Sequence, residues 1–167
     1  LINIAPVRGR YLWPDTTVIG DDCVLSTTIN NSSTVLQLQY GDVKILLPGD
    51  AEEEVEEHLA EVYGDELRSH IYKAAHHGSK TSNSGKYMQH IRPEITVVSV
   101  GDKNKFRHPS PQTIARFDSL GTVTLRTDKV GAVWIKTDGK RIWGESKLGE
   151  SFDFIVDDKN VLLTNNL

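Results

Sequence analysis

The sequence predicts an α/β (α+β) fold, a mixed sheet flanked by helices. Three observations predict it. Thr34–Tyr40 alternates Val35, Gln37 and Gln39 against Leu36, Leu38 and Tyr40, the period of a half-buried strand. Three further apolar runs, Val43–Leu47, His70–Ala75 and Ile95–Val100, alternate with stretches of helical spacing. From Thr122 onward the pattern becomes a β meander cut by Asp and Gly turns. No repeat and no linker divides the chain, so one domain or half-domain spanning 1–167 is expected.

Bulk properties narrow the function classes. The chain has 167 residues, 38% hydrophobic, with a net charge of -4, enough for one domain with a proper core. No apolar run approaches the roughly 20 residues of a membrane helix. No charged-then-apolar leader opens the sequence. Cys23 stands alone, so no internal disulfide framework exists, and a small packed hydrophobe is its simplest reading. Mild acidity argues against coating nucleic acid by charge alone. It leaves room for a nuclease, whose metals supply local positive charge. The chain opens at Leu1 without an initiator Met, which suggests a fragment of a longer chain, processed or trimmed.

The elements follow in order. Leu1–Pro6 reads as the end of a strand, and residues 1–33 are otherwise poorly patterned, with short strands at Thr17–Ile19 and Cys23–Ser26. Gly41-Asp42 is a hairpin-type turn. Val43–Leu47 is apolar on both faces except at Lys44, the mark of a central strand. Asp50 stands where a helix N-cap would, and Val55, Leu59 and Val62 recur at helical spacing before Gly64. The glutamates among them (Glu52, Glu53, Glu54, Glu56, Glu57) read as a solvated face. A polar turn, His76–Ser84, follows the His70–Ala75 strand. Gly85–Ile91 is a short helix stopped by Pro93. Gln112–Leu120 is a helix with Ile114, Phe117 and Leu120 on one face. Strands Thr122–Thr127, Ala132–Thr137 and Arg141–Gly144 and a final pair, Phe152–Val156 and Val161–Thr164, complete the chain.

Three strand-like segments each place an Asp or a His just past the C-terminal end: Asp50, the pair His76-His77, and His108. In open α/β sheets, sites form in the crevice outside those ends. Oxygen and imidazole ligands suit zinc, manganese or iron. Each residue has an ordinary alternative. Asp50 is also a helix cap, histidines are common in turns, and Ser79-Lys80-Thr81-Ser82 is either a phosphate-binding turn or a solvated one. Adjacent residues of an extended segment point opposite ways, so one of His76 and His77 at most should face a given metal. His58 and His70 sit in structural contexts.

Taken together, Asn30–Ser33, Leu46–Asp50, His76–Ser82, Asn104–Pro109 and Arg126–Asp128 resemble motifs of the metallo-β-lactamase superfamily. The resemblance is nearest to the hydrolase domain of bacterial DNA-uptake competence channel proteins and its free-standing relatives. It covers about Asn30 to Gly139. It implies an αββα sandwich with one or two zinc or manganese ions. By that resemblance Asp50 matches a metal-bridging aspartate, and His77 or His76 the histidine beside the site. His108 matches the late histidine that closes it, and Asn31 falls where many members carry a further histidine. The roles expected are metal binding for Asp50 and His77, catalysis for His76 and His108, and substrate contact for Asn31 and, from their place after the strand, for Ser79, Lys80 and Ser82. The superfamily's His-x-His-x-Asp-His signature is missing, and residues 1–49 contain no histidine. The chain therefore resembles the C-terminal half of such a hydrolase, part of a phosphodiesterase or nuclease acting on nucleic acid or a small phosphoester. The expected partner is the N-terminal half of the fold or a second copy. The alternative function is a binding or assembly module that keeps the fold without catalysis. The expected location is cytoplasmic for a free-standing protein, or a soluble domain of a larger membrane-attached one.

Overall fold

The computed structural model describes residues 2–4, 6–14, 29–157 and 160–163. The strands expected at Thr17–Ile19 and Cys23–Ser26, and the packing of Cys23, lie outside the described residues. The chain begins with an antiparallel pair, β1 (Ile2–Ile4) and β2 (Val7–Trp13). The second has no counterpart in the sequence pattern, because Arg8, Gly9 and Arg10 interrupt its apolar residues. A 3-10 turn, Ile29–Ser32, leads into β3 (Val35–Tyr40), and β3 returns through Gly41-Asp42 to β4 (Val43–Leu47). The next strands, β5 (Ile71–Lys73), β6 (Ile95–Val98) and β7 (Val123–Arg126), run parallel to β4. The seven-stranded sheet has the order β1-β2-β3-β4-β5-β6-β7, with β4 at its centre as its two-sided apolar pattern requires.

Three helices cover one face. They are α1 (Glu53–Tyr63), α2 (Gly85–Ile91) and α3 (Pro111–Leu120). Val55 and Leu59 of α1, Tyr87, Met88 and Ile91 of α2, and Phe117 of α3 pack with Leu46, Tyr72 and Val98 of the sheet. Truncating one such fully buried side chain, Leu59→Ala, should cost about 2–5 kcal/mol. Val62, expected in the apolar stripe, is 53% exposed. The buried positions Val55, Glu56, Leu59 and Ala60 centre the stripe between Leu59 and Glu56, and at about 100° per residue Val62 falls at its edge. The helix cap is Glu52 rather than Asp50, since Pro48-Gly49-Asp50 forms a turn of its own after β4. Helix α3 starts one residue before the expected Gln112. Pro111 occupies its first turn, the Ser110 Oγ accepts from the Thr113 N–H at 3.1 Å, and Gly121 closes it in a left-handed conformation.

A short helix, α4 (Thr127–Val130), stands where the first Asp and Gly turn of the meander is expected. It leads to an antiparallel meander: β8 (Val133–Thr137), β9 (Arg141–Ser146), β10 (Ser151–Asp157) and β11 (Asn160–Leu163). This four-stranded sheet packs Ile142, Phe154 and Val156 against Val43, Ile71, Ile95 and Leu125 of the larger sheet. The layers are therefore helices, seven strands, then four strands. Mixed strand directions with flanking helices match the fold class predicted.

Candidate functional site

Leu46, Tyr72, Thr96 and Thr124 lie in one row across β4, β5, β6 and β7. The C-terminal ends of four parallel strands are thus level, and the loops after them share one rim. Asp50, His76, His77 and His108 meet there. His77 Nε2 lies 3.8 Å from Asp50 Oδ1. The His76 and His108 rings stand edge to face at 5.5 Å between centroids, and Phe106 stacks on His108 at 5.8 Å.

The histidine pair does not sit on extended backbone. His76 (φ 46°, ψ 44°) and His77 (φ 55°, ψ 24°) are both left-handed, and Gly78 follows at φ 82°. A left-handed residue with a Cβ costs roughly 1–2 kcal/mol, so something must impose the turn. Asn83 does so from below: its Oδ1 accepts from the Ala75 N–H at 2.9 Å and its Nδ2 donates to the Ala75 carbonyl at 3.1 Å. The Tyr72 hydroxyl donates to the same Asn83 Oδ1 at 3.0 Å. Asn83 is itself held by Glu56, whose carboxylate accepts from the Asn83 N–H at 2.5 Å and the Ser84 N–H at 2.7 Å. Gly78 has no alternative, for a Cβ there would lie 2.6 Å from Pro109 Cβ. Gly49 is similarly pressed: at φ 63°, its added Cβ would meet Ser33 Cβ at 2.8 Å. The Ser33 hydroxyl accepts from the Asp50 N–H at 3.0 Å, which fixes the turn bearing Asp50.

Glu56 corrects the reading of the glutamate run as a solvated face. It is fully buried, and burial pushes its carboxyl up to about 7 against the pull of the two backbone donors. Glu52 is also drawn inward. Its Oε1 accepts from the Thr81 hydroxyl at 2.9 Å and from Asn30 Nδ2 at 3.3 Å. Sequence reasoning missed both. The signal was their place on the stripe: Glu52, Glu56 and Leu59 project on the same side at about 100° per residue.

The two histidines diverge onto two carboxylates. His77 Nδ1 lies 2.7 Å from the Ser99 carbonyl. A carbonyl only accepts, so Nδ1 carries a proton, and Nε2 is the nitrogen turned toward Asp50. His76 Nδ1 lies 3.4 Å from Glu52 Oε1. One of the pair therefore does face Asp50 and the other does not. The cause is two successive left-handed residues, not strand alternation. Asn104 clamps the third histidine by its main chain: Nδ2 donates to the His108 carbonyl at 2.7 Å, and Oδ1 accepts from the His108 N–H at 2.9 Å. Partial burial, then the imidazoles of His76 and His77, hold His108 below the usual histidine range, with Asp50 opposing. Half-buried Lys73 is pulled below the usual lysine range by burial, and again Asp50 opposes.

The remaining expected residues are mostly enclosed. Asn31 is buried, and its amide is taken at both ends: Oδ1 accepts from the Glu52 N–H at 2.9 Å and Nδ2 donates to Glu54 Oε2 at 3.2 Å. Ser79 is buried with its hydroxyl 3.0 Å from that of Thr81, and the Ser82 hydroxyl donates to the Ala51 carbonyl at 2.8 Å. Lys80 is exposed. In the Arg126–Asp128 motif the guanidinium grips Asp128 in a two-point pair at 3.1 and 2.7 Å. Between them the Thr127 hydroxyl accepts from the Val100 N–H at 2.8 Å, bracing the loop that carries His108.

Asp50 Oδ1 and His77 Nε2 fit two positions of a metal's shell. The carbonyl partner of Nδ1 is the second-sphere contact such a ligand uses. Among the described residues, no group of three or more His, Cys, Asp or Glu side chains converges as an ion would need. Open zinc sites typically use three protein ligands. The pair supplies part of such a set.

No family model matches the chain. It is 38% identical over 104 residues to the competence protein ComA of Neisseria gonorrhoeae, covering 62% of this chain and 15% of that protein. It is 32% identical over 104 residues to ComE operon protein 3 of Bacillus subtilis, covering 62% and 13%. A third similarity, 29% over 110 residues, is to recombination protein 2 of Haemophilus influenzae, covering 66% and 14%. The chain thus spans a small part of the curated relatives it matches. No helix among the described residues is long and apolar enough to cross a membrane. Over some three-fifths of its length, this chain is similar to bacterial competence proteins.

Proposed function

We propose that this chain is the C-terminal half of a metallo-β-lactamase-type hydrolase, part of a phosphodiesterase or nuclease acting on nucleic acid or a small phosphoester. The observation that carries the reading is the facing pair, Asp50 Oδ1 and His77 Nε2 at 3.8 Å, on level strand ends. The similarity to competence proteins supports nucleic acid over a small phosphoester as the substrate. Asp50 and His77 would hold zinc or manganese, with further ligands from the N-terminal half of the fold or a second copy. The ion would supply Lewis-acid charge stabilisation to the phosphoryl oxygens. The residues of this chain supply the rest. Asp50 brings the negative charge that retains the cation. The Ser99 carbonyl keeps His77 in the tautomer that can bind it. His108, held below the usual histidine range, and His76 stand beside the pair to contact phosphate or exchange a proton with the leaving group. Lys80, exposed on the turn, can meet a phosphate, whereas Asn31, Ser79 and Ser82 hold the turn and helix in place.

The short donor set favours a second reading, a binding or assembly module that keeps the fold. One experiment separates the two. The longest natural polypeptide containing this chain is assayed with zinc or manganese on a generic phosphodiester and on single-stranded DNA. Metal-dependent hydrolysis that Asp50→Asn removes supports the enzyme. Binding of DNA without hydrolysis, unaffected by Asp50→Asn, supports the module.

A further inference from the structure

We propose that Glu52 is a positioning residue for His76, keeping the imidazole proton on Nδ1 so that the Nε2 lone pair faces the crevice beside His108. The inference rests on the hydrolase reading for what Nε2 does there. The tautomer itself does not depend on it.

His76 Nδ1 is shielded from solvent and has no hydrogen-bond partner of good geometry. Glu52 Oε1 faces it at 3.4 Å. A carboxylate can only accept. With the proton elsewhere, the Nδ1 lone pair would point at a negative oxygen in a place water screens poorly. With the proton on Nδ1, the contact becomes a charge-assisted approach that is skewed as it stands. Such bonds are often loose before substrate arrives and tighten afterwards.

The carboxylate is fixed independently of His76. The Thr81 hydroxyl and Asn30 Nδ2 both donate to the same Oε1. The Glu52 N–H donates to Asn31 Oδ1 at 2.9 Å, and the Glu53 N–H to the Thr81 carbonyl at 2.9 Å. Glu52 thus ties the start of α1 to the turn that carries the histidines. Among the described residues, His76 Nε2 has no hydrogen-bond partner, and the side chain as a whole is partly exposed. The His108 ring stands edge to face with that of His76. His77 repeats the design with a different tether, Nδ1 on the Ser99 carbonyl and Nε2 toward Asp50. Adjacent histidines therefore present the same nitrogen to two different neighbours. Exchange with a substrate at His76 would run through Nε2 alone.

The test is the nitrogen-15 spectrum of the histidine side chains of this chain, with His76→Gln to assign the signal. It is recorded at one fixed pH of about 8.5, well above an ordinary imidazole pKa of about 6.5, so that only tautomers are compared. The expected wild-type His76 has a protonated Nδ1 and a bare Nε2. Glu52→Gln, which keeps an acceptor oxygen, should retain that pattern. Glu52→Ala and the shorter Glu52→Asp should lose it, with the His70 signals unchanged as evidence of an intact fold. A wild-type ring protonated on Nε2, or a His76 pattern unmoved in both Glu52→Ala and Glu52→Asp, would overturn the proposal. In the complete protein, Glu52→Ala should lower kcat about 10–100-fold with KM retained. A wild-type protein that hydrolyses no phosphodiester would overturn the hydrolase reading while the spectrum still decides the tautomer.

Discussion

The two ends of the parallel strands hold histidines in opposite circumstances. At the N-terminal end of β5, His70 is buried and its Nδ1 accepts from the Lys44 N–H at 3.0 Å. Burial, then Arg68 and Lys44, push it down to about 4, so it stays neutral with that lone pair spent on the backbone. At the C-terminal end, His77 spends only a proton on the backbone and leaves Nε2 facing the crevice it shares with Asp50. The residue type is the same; the nitrogen that the main chain uses differs. That difference, more than exposure, separates a packing histidine from one available for chemistry.

The sharpest break in the comparison is Asp50→Asn in the complete protein. The side chain keeps its shape and loses the charge proposed to retain a cation. Metal content should fall, and hydrolysis should fall by about a thousandfold, the equivalent of several kcal/mol of charge stabilisation. Normal metal content by elemental analysis, with a normal rate, would move the site elsewhere. Next comes the support beneath the histidine turn. Glu56→Ala leaves two buried N–H groups without acceptors, about 1–3 kcal/mol each. A loss of about 2–5 kcal/mol is expected in urea unfolding, and less than 1 kcal/mol would mean the turn supports itself. Gly78→Ala should cost about 1–3 kcal/mol through its left-handed backbone and the approach to Pro109.

A pH series sharpens the contrast further. Burial depresses the folded pKa of His70, so its contribution is present above about 6.5 and is lost as pH falls through about 4. Burial raises the folded pKa of Glu56, so its contribution is present below about 4.5 and is lost as pH rises through about 7. The two slopes oppose each other between those limits and nearly cancel in the native protein. Glu56→Gln should unmask the histidine slope, with stability falling as pH drops from about 6.5 to about 4, up to about 3 kcal/mol. An unchanged pH profile in that variant would show that one of the two groups is not buried as described. The smallest effect is on stability in His108→Ala. The side chain sits in a loop whose backbone Asn104 already clamps, so about 0.5 kcal/mol or less is expected while the hydrolysis rate drops.

How much of this the sequence discloses depends on period and distance. The β3–β4 hairpin, the central place of β4 and helices α1 and α3 follow from apolar spacing within a few residues. Asp50, His76, His77 and His108 are legible as a group because each ends an apolar run, and parallel strands bring such ends level. β2 is not legible, since Arg8, Gly9 and Arg10 carry no strand period. Glu56 and Glu52 look like their solvated neighbours until the helix is turned to show them on the stripe with Leu59. The left-handed His76-His77 pair could not be read locally at all. It is imposed by Asn83 and Glu56, which lie 6 to 7 and about 20 residues away in sequence.

The central claim is that the crevice at the strand ends, and not the His70 end, is where a cation binds. Paramagnetic broadening by manganese tests it on this chain directly, because even weak binding broadens nearby nuclei. Manganese is added stepwise while the ring signals of the six histidines are followed. The expected result is selective broadening of His77, with His76 and His108 next, abolished by Asp50→Asn, while His70 stays sharp. Broadening that centres on His70, His58 or His90, or that leaves His77 untouched, would contradict the account.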